Sequence, residues 1–445
     1  MSLSIVWTMV LGGLVAALGA FSSVGQAGVC DQVGGVITGD WTITTAQVCT
    51  GIVYTVDGTI NVNDGGSLTL VNGGLAFAKD TAHQGHALNV NGGGTLVLDN
   101  SVVTTQTNAI GPFLYLALSV NSAAGSPGTF VMRNGASLKF PGWFNATGVA
   151  GDQAVVNITG SKITGFADTE LAGLGVDVDA NNDAPVMRWS QTQAGLYGAR
   201  VEKLFEHVSG ALDLALVSST SLYAYDTYIA VDYCDLPSQH NELTTDGTSN
   251  AYLYNSTIDM SDSTLCSAQR IDWQPAFRPS AGGNVYLHRW LRASVTNSVG
   301  GPINGATVWS RLSPSSTTAQ YPDSGLGNIP SSRTLWYLGR AASGPSQWNR
   351  TDEGGIARIP LYTDRIDSAT LPNAESFGNY DEVAAYAAST VTVGVSFPAY
   401  PSLSSADNNR DAILSFGAVT CSSGVTTWNF SRSITGIVSI SGSLE

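Results

Sequence analysis

One short phrase is written twice in this chain. "NVNDGGSLTLVNGGLAF" begins at Asn61, and "NVNGGGTLVLDNSVV" begins at Asn89. Val62, Leu68 and Leu70 recur as Val90, Leu96 and Leu98, and Gly65–Gly66 recur as Gly93–Gly94. Successive strand residues point to opposite sides, so "SLTL" and "TLVL" each set two aliphatic side chains on one face. Glycines just before the strand permit a tight turn at positive φ. A looser third copy, "VMRNGASLKF" from Val131, brings Leu138 and Phe140 inward. A second phrase follows the strand in "LVLDNSVVTT", "VNITGSKIT" and "YLYNSTID", where Val103, Ile163 and Ile258 return to the interior. A unit of about 20–30 residues with one apolar stripe cannot bury that stripe alone, whereas stacked units can. The chain is therefore expected to form a solenoid in which Leu68, Leu70, Leu96, Leu98, Leu138, Ile158 and Ile163 share one apolar column.

Composition agrees with many short strands. Only 12% of the 445 residues are charged, against a usual ~25%, and the 50 glycines argue against a helical protein. The formal net charge is −15, and the lysines are Lys79, Lys139, Lys162 and Lys203. That balance lacks the basic footprint of a nucleic-acid binder and the polybasic patch of a membrane-surface protein. Residues 1–27 read as a signal peptide, apolar from Leu3 to Phe21 and ending on "GQA", although the positive n-region is missing. Left uncleaved, a stretch of ~18–20 apolar residues would serve as a membrane anchor. In either case the rest of the chain is expected to be secreted or held at the cell surface. Five cysteines suit an oxidising compartment. Cys30 with Cys49 and Cys234 with Cys266 are the expected disulfides, which leaves Cys421 over. Asn145, Asn157, Asn255, Asn349 and Asn429 open Asn-x-Ser/Thr sequons and are candidate glycosylation sites.

The phrases "GGSLTLVNG", "GGTLVLDNS" and "NITGSKITG" resemble the pectate-lyase-like right-handed parallel β-helix of archaeal and bacterial surface proteins. The resemblance spans roughly Gly35 to Ser263. It implies the fold and carries no chemistry. In that fold an Asn after the strand stacks on its equivalents. Asn100 and Asn255 hold that slot, while Gly160 breaks the row. An antiparallel β-sandwich or barrel is the rival fold and would need hairpin turns instead.

Composition changes near Gly282. "VYLHRWLRASVTNSVGGPINGATVWSR" and "TDEGGIARIPLYTD" resemble the small transthyretin-like or carboxypeptidase-regulatory-like sandwich, an immunoglobulin-like module. The resemblance makes "GGPINGA" a tight hairpin between its first two strands. An inserted loop at 312–348 departs from the family pattern. The expected organisation is all-β. After the signal peptide come a parallel β-helix over 28–281, an immunoglobulin-like sandwich over 282–418, and the start of a second repeat unit over 419–445. The last expectation rests on "TGIVSISGSLE" from Thr435, which echoes "TGIVYTVDGTIN" from Thr50. It implies a chain cut from a longer one, continuing past Glu445.

The most chemical string is "VDVDANND". Asp177, Asp179, Asn181 and Asp183 alternate along it and offer the clustered oxygens a calcium ion takes, although Asn182 stands where an EF-hand has glycine. His83 and His86 form a His-x-x-His pair without a third ligand nearby. The β-helix resemblance brings lyase and hydrolase patterns into view, and this chain departs from them. It has no adjacent Asp-Asp pair, Gly85-His86 is followed by Ala87, and Arg200 and Lys203 are one position too far apart for Arg-x-Lys. Asp226, Asp232 and Asp235 are the densest acids of the coil, and no catalytic residue is assigned. Trp143 and Trp189 are candidate exposed aromatics for a sugar. The expected function is a secreted or cell-surface structural or adhesive protein, with glycan binding as an extension. A polysaccharide lyase or glycoside hydrolase on the same scaffold is the alternative. Calcium is the one cofactor in question. Expected partners are polysaccharides or neighbouring surface proteins and not nucleic acid. Membrane contact is expected only through an uncleaved N-terminal segment or an anchor beyond Glu445.

Overall fold

The computed structural model describes residues 28–32, 34–79, 85–106, 115–140, 142–164, 185–202, 214–230, 243–259, 277–313, 350–370, 375–376, 378–387, 389–397, 409–417, 419–420 and 429–430. Among these residues the chain is all-β. From Gly28 onward it winds through three parallel sheets, and each strand pairs with the strand three places ahead. One rung runs through Ser67–Val71, Gly74–Phe77 and Ala87–Val90. The next runs through Thr95–Asp99, Val102–Thr105 and Leu116–Asn121, and a third through Thr129–Arg133, Ser137–Lys139 and Gly142–Thr147. We number the sheets one, two and three in that order.

The repeated phrase is two consecutive rungs. Leu96 lies in register with Leu68, Leu98 with Leu70, and Val90 with Val62. All seven residues expected inside are fully buried in one continuous core. Their arrangement differs from a single column. Leu68, Leu70, Leu96, Leu98 and Ile158 line sheet one, whereas Leu138 and Ile163 line sheet two, level with Leu75 and Val103. The third copy of the sheet-one strand is "TFVMR", which places Phe130 beside Leu96 and Met132 beside Leu98. Alternation is the same on every wall, so spacing alone does not say which wall a strand joins.

The paired glycines have two separate causes. Gly65 and Gly93 sit at φ 74° and 77°, where a side chain is strained. A Cβ on Gly66 or Gly94 would lie 2.3 Å from the carbonyl oxygen of Ile43 or Val62 in the rung before. The first glycine makes the turn, and the second lets the rungs approach.

The corner between sheets one and two repeats a left-handed residue. Asn72, Asn100, Asn134, Gly160, Gly198, Asp226 and Asn255 follow successive strands with φ between 45° and 57°. Asn tolerates this region because its side chain bonds locally. Asn100 Nδ2 donates to Asn72 Oδ1 at 2.8 Å, and Asn255 Nδ2 donates to Asp226 Oδ1. Gly160 and Gly198 interrupt the row, as expected for Gly160. Near the N-terminus Cys30 and Cys49 form the expected disulfide, with Cα atoms 4.8 Å apart. Cys234 and Cys266 lie outside the described residues.

The solenoid does not end before residue 282. The thirteen-residue strand Asn284–Thr296 continues sheet one, parallel to Asn250–Tyr254, as far as His288. It also pairs antiparallel with Ile356–Asp367, with a register shift between Leu287 and His288. The extra residue is Thr363 on Ile356–Asp367, and it switches that strand's inward side from Ile366 to Leu361, Ile359 and Ala357, while Asn284–Thr296 keeps its odd-numbered residues inward. Val285 and Leu287 join the solenoid core, whereas Leu291, Ala293 and Val295 join a second core. That core lies between two groups of strands. Asn284–Thr296, Ile356–Asp367 and Asn409–Ser415 pair on one side, and Thr307–Leu312, Asn379–Tyr386 and Ser389–Ser396 pair on the other. The hairpin expected at "GGPINGA" does not join neighbouring strands. Asn297–Gly301 closes a tight turn and Thr296 bridges Pro302, but Thr307–Leu312 crosses to pair with Asn379–Tyr386. Pro302 has no N–H to extend a ladder, and Gly305 at φ 77° redirects the chain. The loop over 314–348 lies outside the described residues. So does 435–445. The described part nearest to it, Asn429–Phe430, pairs antiparallel with Val419–Thr420.

Glu382 is fully buried in this second unit and accepts the Ser310 hydroxyl proton. Burial raises its carboxyl well above the usual 4.5, against the lowering effect of Ser310. A carboxyl with a raised folded-state pKa binds more protons folded than unfolded. Its stabilising contribution is therefore full in acid and is lost as pH rises past the unfolded value of about 4.5. Denaturation curves from acid to neutral pH should show that decline, and Glu382→Gln should flatten it. An identical pH slope in the variant would refute the assignment.

Candidate functional site

The outward side of sheet three carries the most exposed aromatic ring of the described solenoid. In "GWFNAT", Gly142, Phe144 and Ala146 face the core, which turns Trp143 outward. Trp143 is 47% exposed. Tyr115 meets it edge-on, with centroids 5.5 Å apart at 60°. Burial pushes the Tyr115 hydroxyl up to about 12. The residues level with Trp143 on neighbouring strands are Ala117 and Val186, with Ala87 one strand further. These side chains are smaller, so the indole stands above the sheet. Two residues along, Asn61, Asn89, Ser119, Asn145 and Arg188 form a second outward row in register. Asn89 Nδ2 donates to Asn61 Oδ1 at 3.0 Å. An indole beside a line of amide, hydroxyl and guanidinium groups can bind a polyhydroxylated ligand through one apolar face and several hydrogen bonds.

Sheet one carries two aromatic ladders that sequence reading missed. Tyr223, Tyr252 and Tyr286 stack at 4.9 Å and 5.1 Å, within 11° of parallel. Beside them Tyr197, Tyr225 and Tyr254 stack at 5.3 Å and 4.6 Å, followed by His288 at 4.3 Å. The rings spend their faces on one another, and the second column is buried in a cluster with Trp290, so these columns staple rungs together. The signal was present as "YGAR", "YAYDT" and "YLYNS", each with Tyr just before the left-handed corner. Burial pushes the Tyr252 hydroxyl up to about 12, with Tyr223 and Tyr286 adding to the rise.

Trp189 is not an exposed sugar platform. It is fully buried and meets Phe144 edge-on at 5.7 Å, because Met187 and Trp189 point inward while Arg188 points out. Asp226 occupies the left-handed corner. Its Oδ1 accepts from Asn255 and from Trp290 Nε1 at 2.9 Å, and Arg358 Nη2 lies 3.6 Å from Oδ2. Those contacts give it a structural role. Asp232 and Asp235 lie outside the described residues, as do Asp177, Asp179, Asn181, Asp183 and His83.

His86 stands against Ala78 O through Nδ1 at 3.1 Å, with Asp57 Oδ1 3.7 Å from Nε2. The nearby Lys79 is almost wholly buried, donates to His86 O at 2.9 Å, and is lowered to about 8 by burial. Among the described residues no three His, Cys, Asp or Glu side chains converge to hold a metal. Asn145 and Asn157 are half-buried on outward strand faces. Asn255 donates within the corner, Asn429 opens a short strand, and Asn349 lies outside the described residues. Comparison with protein-family models, with curated proteins and with solved structures finds no match.

Proposed function

We propose that this chain is an exported surface protein of structural or adhesive type, in which a right-handed pectate-lyase-like β-helix carries an immunoglobulin-like sandwich and holds polysaccharide on one flat face. The carrying observation is Trp143, exposed beside the polar row Asn61, Asn89, Ser119, Asn145 and Arg188. The rungs repeat about every 4.8 Å, so the row presents evenly spaced donors and acceptors to an extended chain. Neutral amides, a hydroxyl and one guanidinium suit hydroxyl-rich, weakly anionic polysaccharide.

Co-sedimentation with a panel of insoluble polysaccharides tests this reading. Trp143→Ala should weaken binding at least tenfold, which corresponds to about 1.4 kcal/mol. The exposed position makes a loss of folding a small effect. A wild-type protein that binds no member of the panel, or a variant that binds equally well, would sink the reading.

A further inference from the structure

The first rung leaves its outer edges without ladder partners among the described residues. Val36–Thr38 pairs only with Val53–Asp57, and Trp41–Ile43 pairs only with Ile60–Val62. Both are the terminal strands of their sheets. Large apolar side chains are exposed nearby, with Val36 at 64%, Val53 at 53% and Ile52 at 37%. An open, apolar strand edge is a template for another strand.

The corner at this edge has a recognisable phrase. Ile37-Thr38-Gly39-Asp40-Trp41 stacks on Val56-Asp57-Gly58-Thr59-Ile60. Gly39 N donates to Asp57 O at 2.7 Å, and Trp41 N donates to Thr59 O at 2.9 Å. Thr59 N donates to Asp40 Oδ1 at 2.9 Å. Glycine is required at Gly58, because a Cβ there would lie 2.0 Å from the Gly39 carbonyl oxygen. A Cβ on Gly39 meets nothing within 4 Å. The phrase occurs a third time as Ile440-Ser441-Gly442-Ser443-Leu444. In that order Ile440 and Leu444 match the buried pairs Ile37/Val56 and Trp41/Ile60, and Gly442 matches Gly39/Gly58.

We infer that residues 440–444 of one molecule add a rung to the Ile37–Ile43 edge of a second copy. The contact is strand addition, with main-chain hydrogen bonds for affinity and two inward side chains for register. It joins different surfaces on the two molecules, so it is head-to-tail and repeats along a row of copies.

Sedimentation velocity of the full exported chain over a wide concentration range tests the inference, independently of any polysaccharide. Species larger than a monomer should grow with concentration. Deleting residues 435–445, or replacing Val36→Asp on the exposed edge, should each leave a monomer. A synthetic peptide of residues 435–445 added to the deletion variant should slow hydrogen exchange across Ile37–Ile43. A wild type that stays monomeric throughout overturns the inference. So does association that survives either change, and so does a peptide that protects nothing.

Discussion

Leu96→Ala should cost about 2–5 kcal/mol of stability, while Val97→Ala, one residue further, should cost less than about 1 kcal/mol. Leu96 is fully buried between Leu68 and Phe130 of the neighbouring rungs. Those side chains are fixed by their own rungs, so the site cannot collapse around the missing atoms and a cavity remains. Val97 points outward on the same strand. Each rung of a solenoid touches mainly its neighbours, so the damage should be local. Hydrogen exchange should show lost protection centred on Ser67–Val71, Thr95–Asp99 and Thr129–Arg133. Equal losses for the two variants would contradict the inward and outward assignment.

Removing the Cys30–Cys49 bridge, with both residues changed to Ser, should cost about 3 kcal/mol by the chain-entropy estimate for a loop of ~20 residues. The two cysteines are 19 positions apart. The loop they close contains Val36–Thr38 and Trp41–Ile43, two of the three strands of the first rung. Limited proteolysis should open the segment from Gly28 to Thr50 in the double variant and leave the strands from Ala87 to Thr147 protected. Unchanged cleavage near Gly28–Thr50 would show that the rung holds without the bridge.

How much of this was legible depends on which wall and which side a residue chose. The stacked pairs Leu68/Leu96 and Leu70/Leu98 were readable because the phrase recurs after 28 residues with its glycines intact. Leu138 was readable as buried but not as a resident of sheet two, since a wall is defined by hydrogen bonding between rungs. The tyrosine ladders escaped notice because rung length drifts from 28 to 29 to 34 residues, as the side-chain pairs Asn61/Asn89, Asp226/Asn255 and Asn250/Asn284 record. Asp226 looked like a candidate acid because the left-handed corner accepts Asn, Gly and Asp alike. Of the candidate site, Trp143 was legible, and the alternation Met187-Arg188-Trp189 already contained the burial of Trp189. The polar row beside Trp143 was not legible, because its members come from five strands. The strand shared by both cores was hidden too, since the register shift at Leu287/His288 leaves no mark in composition.

That shared strand sets where sheet one stops. Ile356–Asp367 lies antiparallel across Asn284–Ser294 and occupies the hydrogen-bonding edge where sheet one would otherwise accept another parallel strand. Sheet one is thus covered at that end by its own chain, whereas among the described residues sheets two and three end on Thr257–Asp259 and Phe277–Pro279, much as they begin on Val36–Thr38 and Trp41–Ile43. A covered edge resists indiscriminate edge-to-edge aggregation. A further parallel rung could therefore not be laid along sheet one beyond Asn284–His288 without displacing Ile356–Asp367.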